Sequence, residues 1–97
     1  MAISNKDKEI LEQLKKDLVQ ALGDHMKIIK AFGSRVRGDA HEWSNLDVMV
    51  VVLKINPEIK EMISQIRYNV MLEYNFRPLI SLLLYGLTLV NRNRIQM

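Results

Sequence analysis

The chain contains no cysteine, which excludes a disulfide framework and a thiolate zinc site and fits a reducing compartment. A long apolar run is also missing. The most apolar stretch, Leu79 to Leu84, is interrupted by Ser81 and falls far short of the roughly 20 residues a spanning helix needs, so no membrane association is expected. Lys6, Asp7, Lys8 and Glu9 stand where a signal peptide would carry its apolar core, and the cytoplasm is the expected location. Nor is there a strong excess of one charge. The net charge is +3, spread along the chain, with Arg92 and Arg94 the nearest thing to a basic cluster, and direct nucleic-acid binding is not supported. What is present is an ordinary globular balance, 48% hydrophobic and 26% charged over 97 residues. That suffices for one small domain, residues 1–97, with a core over 26–85 and a short tail over 87–97.

The apolar pattern orders the elements. Ser4 is a helix N-cap, with Asp7 three residues on where an acidic side chain can reach back. Ile10, Leu11, Leu14, Leu18, Ala21 and Leu22 recur at helical spacing and Gly23 is a natural stop, which predicts a helix over 5–22. Met26 to Phe32 reads as a strand, and Gly33 and Gly38 bracket a turn with a short helical piece. Leu46 to Leu53 is an almost unbroken apolar run with four valines, a strand buried on both faces or central in its sheet. Asn56-Pro57 opens a second long helix, whose stripe is Ile59, Met62, Ile63, Ile66 and Val70. After Pro78, residues 79–85 read as a third strand, and Gly86 opens the tail. Helix, strand, turn, strand, helix, strand implies an α/β (α+β) fold: a small mixed sheet of about three strands with helices packed on it.

Two segments carry chemistry. In Phe32-Gly33-Ser34-Arg35-Val36-Arg37-Gly38 a strand runs into a glycine turn and a short helix, either a plain turn or a phosphate cradle. For the second reading, Gly33 admits an anion close to exposed N–H groups, Ser34 adds a hydroxyl, and Arg35 or Arg37 supplies a guanidinium. It is not a P-loop, since the Lys-Ser/Thr ending is missing, and the glycine spacing is not a dinucleotide fingerprint. In Ser44-Asn45-Leu46-Asp47, Asp47 stands at the entrance of an apolar strand, where a charge wants a partner or a metal. Asn45 is two residues away, the strand spacing for a shared face. His25 and His41 read as loop residues or as a proton donor or ligand, and Trp43 as loop packing or a base-stacking platform.

Together the two segments resemble the DNA polymerase β-like nucleotidyltransferase superfamily, and among its members the small stand-alone minimal nucleotidyltransferases often paired with helical partner proteins in prokaryotes. The resemblance spans about residues 26–85. It implies a palm-like fold in which Gly33 and Ser34 grip the triphosphate of a nucleotide, Arg37 neutralises it, and Asp47 is a catalytic, magnesium-binding aspartate. The implied reaction transfers a nucleoside monophosphate from a magnesium nucleotide such as ATP to an acceptor hydroxyl. The family's first aspartate position is occupied here by Asn45 and its third carboxylate position by Ser81. Both are neutral oxygen ligands, and weaker magnesium binding is expected. Asp39, Glu42 and Glu73 are the carboxylates that can compensate. The alternative is a catalytically degenerate nucleotide-binding module, or an antitoxin-like one of a toxin–antitoxin pair acting with a small helical partner protein; a homodimer is also compatible with the apolar content.

Overall fold

A computed structural model describes residues 3–38 and 44–87. Asp39, His41, Glu42, Trp43, Arg92 and Arg94 lie outside the described residues. Helix α1 runs over Asn5–Leu22 and is followed by a 3₁₀ turn, Gly23–His25. Strand β1 is Met26–Phe32, the one-turn helix α2 Ser34–Arg37, strand β2 Leu46–Val52, helix α3 Pro57–Glu73 and strand β3 Ile80–Gly86.

Each boundary has a local cause. The Ser4 hydroxyl accepts from the Asp7 N–H at 3.0 Å, and Gly23 ends α1 at φ 55°, where a side chain would strain the backbone. Asn56 caps α3 through its side-chain oxygen, which accepts from Ile59 N–H at 2.8 Å, with Pro57 following in the first turn. The Asp7 carboxylate does not reach back to the cap, because Arg35 of α2 takes it in an ion pair.

The three strands form one sheet in the order β1-β2-β3. β2 is central, antiparallel to β1 and parallel to β3, the parallel pair being joined through α3. The continuous apolar run of β2 follows from that central position. Its alternate residues Leu46, Val48, Val50 and Val52 are fully buried, and they pack with Leu14, Leu18, Ile63 and Val70 of the two long helices. Both helices therefore cover one face of the sheet. The opposite face carries Ile28, Phe32, Asp47, Met49, Ser81, Leu83 and Tyr85; of these Ile28, Phe32, Leu83 and Tyr85 are exposed. Gly86 is the last residue of β3 rather than the start of a tail. A side chain there would lie 2.8 Å from Ile55 Cγ1 and 3.2 Å from the Ile55 backbone nitrogen, so β3 closes against the β2–α3 connection.

Candidate functional site

β1 ends at Phe32, whose register partner on β2 is Asp47. The next residue, Gly33, turns the chain into α2 with φ 86° and ψ −161°, a conformation open to glycine and strained for any side chain. Contact makes the same demand. A Cβ on Gly33 would overlap Asp47 Oδ2 and lie 3.2 Å from Asp47 Cγ. The bare backbone of the turn and the Asp47 carboxylate are therefore side by side.

The turn is fastened by hydrogen bonds from Val36 and Arg37 N–H to the Gly33 carbonyl at 3.2 and 3.0 Å, and from Gly38 N–H to the Ser34 carbonyl at 2.9 Å. Those bonds leave the N–H groups of Ser34 and Arg35 in the first turn of α2, where no intrahelical acceptor exists. The Ser34 side chain is half-buried beside them and that of Arg37 is exposed.

Arg35 has a different task from the one its position suggested. Its Nη1 donates to Asp7 Oδ2 and its Nε to the Ser44 carbonyl, both at 2.9 Å. The guanidinium thus ties α1 to α2 and α2 to the residue that leads into β2. The ion pair is well shielded, with side-chain exposures of 15% for Arg35 and 3% for Asp7. The sequence held a signal for this pair only in part. Asp7 lies on the buried stripe with Ile10 and Leu14, and a carboxylate on such a stripe requires a cation.

The remaining candidates divide. Ser81 is the register partner of Asp47 on β3, so the two sit side by side across the parallel pair. Asn45 precedes β2 and is exposed. It lines a cavity of about 660 Å³ with Lys6, Asp7, Arg35, Ser44 and Arg77. It also lines a groove of about 440 Å³ at the β3 edge, shared with Ser81, Lys60 and Arg67. Asp47 lines neither. Glu73 is the exposed last residue of α3 and lines neither cavity either.

Among the described residues no three His, Cys, Asp or Glu side chains are grouped to hold a metal, and no helix is long and apolar enough to cross a membrane. Among the described residues the side-chain oxygen donors around the turn are the Asp47 carboxylate and the Ser34 and Ser81 hydroxyls, with the Asn45 amide just ahead of β2. Such a set fits a single hard cation whose other ligands come from phosphates and water; it does not fit a pair of cations, which needs more carboxylate charge.

Residues 8–88 match the family model described as "Nucleotidyltransferase domain". The "Putative protein adenylyltransferase" of Methanocaldococcus jannaschii is 33% identical over 81 residues, covering 84% of this chain and 81% of that protein. The crystal structure of "a putative nucleotidyltransferase" from Sulfolobus solfataricus is similar over 95% of this chain and 84% of that chain, with a TM-score of 0.49 and 20% identity.

Proposed function

Since this chain belongs to the nucleotidyltransferase domain family, we propose that it binds a nucleoside triphosphate, ATP first, at the Gly33-Ser34 turn and transfers the nucleoside monophosphate to an acceptor hydroxyl. The observation that carries this reading is the contact between Gly33 and the Asp47 carboxylate. It sets a phosphate-accepting backbone next to a negative group able to share a cation with phosphates. ATP is the first choice because the curated relative is named for adenylyl transfer.

In this reading the triphosphate lies against the Ser34 and Arg35 N–H groups, which only a side-chain-free Gly33 lets it approach. The Ser34 hydroxyl donates a further hydrogen bond and Arg37 offsets phosphate charge. Asp47 would hold a magnesium ion that arrives on the nucleotide, with Ser81 and Asn45 as neutral oxygen donors nearby; once bound, that ion neutralises charge on the phosphates. The acceptor oxygen attacks the α-phosphorus in line. An O–P bond forms as the bond to the β-phosphate oxygen breaks, pyrophosphate leaves, and the acceptor's proton passes to solvent.

Calorimetric titration of the full chain with ATP, with and without magnesium, tests the binding step. Binding that needs magnesium and weakens about a hundredfold in Asp47→Ala is expected, equivalent to roughly 2.7 kcal/mol. No binding of any nucleoside triphosphate would sink the proposal. Transfer is tested separately by following pyrophosphate release and labelled nucleotide on candidate acceptors.

Asn45 and Ser81 favour a second reading, a domain that binds nucleotide with little turnover and acts with a small helical partner, as in a toxin–antitoxin pair. Ser81→Asp decides how far those neutral donors matter, because a carboxylate there stands directly beside Asp47 in register. Magnesium-dependent affinity is expected to rise about tenfold, and with Asn45→Asp added, transfer should rise as well. An unchanged metal dependence in both variants would mean that Ser81 and Asn45 do not border the nucleotide.

A further inference from the structure

The two edges of the sheet are finished differently. The β1 edge carries exposed Lys27 and Lys30 and an irregularity in register between Met26 and Ile28, devices that deter strand addition. The β3 edge carries Ile80-Ser81-Leu82-Leu83-Leu84-Tyr85-Gly86, with no charge and no proline.

Alternation decides which backbone groups look outward. The Leu79 carbonyl accepts from Leu46 N–H at 2.8 Å, so odd-numbered residues of β3 face β2 and the even-numbered ones face away. The first outward residue, Ile80, is already provided for. Its N–H donates to Met71 Sδ at 3.3 Å and its carbonyl accepts from Arg67 Nε at 2.7 Å, both partners being on α3. The outward groups of Leu82, Leu84 and Gly86 have no such partner among the described residues.

We propose that this edge pairs antiparallel with the same edge of a second copy, joining two three-stranded sheets into one of six strands. The capping of Ile80 selects the register. A two-fold axis at Leu84 pairs Leu84 with Leu84 of the other copy, and Leu82 with its Gly86. That register uses every open outward group and leaves Ile80 to Arg67 and Met71. It is self-complementary, as a two-fold interface requires, whereas an unrelated strand would have to match the spacing by chance. On the open face it sets Leu83 opposite Tyr85 of the second copy, twice. These two side chains are 46% and 52% exposed in the single chain, and cross-strand aromatic–aliphatic pairs of this kind stabilise sheets. Lys60 and Arg67 flank the edge on the helix side, so like charges meet there and salt should strengthen association.

Sedimentation of the full chain across the micromolar range is expected to give a concentration-dependent dimer. Leu83→Lys, an exposed change that adds charge to the edge, is expected to give a folded monomer. The register is read by cross-linking, which the absence of native cysteine makes clean. Leu83→Cys combined with Tyr85→Cys is expected to form a covalent dimer under mild oxidation, while either cysteine alone forms far less. A monomer at every concentration overturns the proposal, whether the rest of the chain or another protein covers the strand. Equally fast cross-linking of Leu83→Cys alone overturns the register, and a dimer unaffected by Leu83→Lys overturns the edge as its seat.

Discussion

Gly33→Ala is expected to lose nucleotide binding and a large part of the fold's stability in one step. Two penalties combine at this position. A side chain at φ 86° costs about 1–2 kcal/mol. The new methyl also overlaps the Asp47 carboxylate and lies 3.2 Å from its Cγ and 3.4 Å from its Cβ, so the side chain must shift. Together they come to about 2–4 kcal/mol, or a fall in Tm of the order of 10–20 °C for a domain this size. Thermal unfolding followed by circular dichroism measures the first loss and ATP titration the second. Asp47→Gly in the Gly33→Ala background separates the contributions: removing the carboxylate relieves the overlap but not the backbone penalty, so stability returns in part while binding stays lost. A melting temperature of Gly33→Ala within about 2 °C of the parent would contradict the contact between turn and carboxylate.

The second large effect is expected where no ligand is involved. Arg35→Ala leaves the Asp7 carboxylate buried without its cation, and Asp7→Ala leaves a largely shielded guanidinium without its anion. Each single change is expected to destabilise by about 3–5 kcal/mol. Replacing both partners together with apolar residues of similar size, Asp7→Leu with Arg35→Met, is expected to lose much less than the sum, because no orphaned charge remains. Chemical denaturation of Asp7→Leu, Arg35→Met and the double variant completes the cycle. Strict additivity would show that the pair does not act as a unit. Arg35→Lys is a useful fourth variant. Lysine keeps the charge but cannot hold Asp7 and the Ser44 carbonyl with one planar fork, so it should restore only part of the stability.

These two cases show where sequence reasoning reaches and where it stops. Local chemistry was legible throughout. The Ser4 and Asn56 caps, the glycine stop at Gly23 and the valine-rich run of β2 each act through neighbours a few residues away, and they mark the elements close to where they form. The turn at Gly33 and the place of Asp47 at the start of β2 were also legible, and so was the place of Ser81 on β3, where its register partner is Asp47. Pairings over long separations were not. Asp7 and Arg35 are 28 residues apart, and nothing short of the fold says that they meet. Arg35 looked like a phosphate ligand because its place in the turn is right; its side chain is engaged elsewhere. Gly86 read as a tail for a similar reason, since the close approach of Ile55 that demands glycine there comes from a different segment.

The central position of β2 has a mechanical consequence. Asp47 lies on a strand bonded on both sides, so moving it means breaking two ladders at once, which makes it the part of the site least able to open locally. The Gly33 turn faces it with only four residues of helix behind it, and the Arg35 guanidinium ties that helix to α1 and Ser44. The site is built like a vice with one fixed jaw and one sprung jaw. In the proposed nucleotide site, adjustment to a bound molecule would fall on the turn, and the Arg35 tie to α1 would resist it.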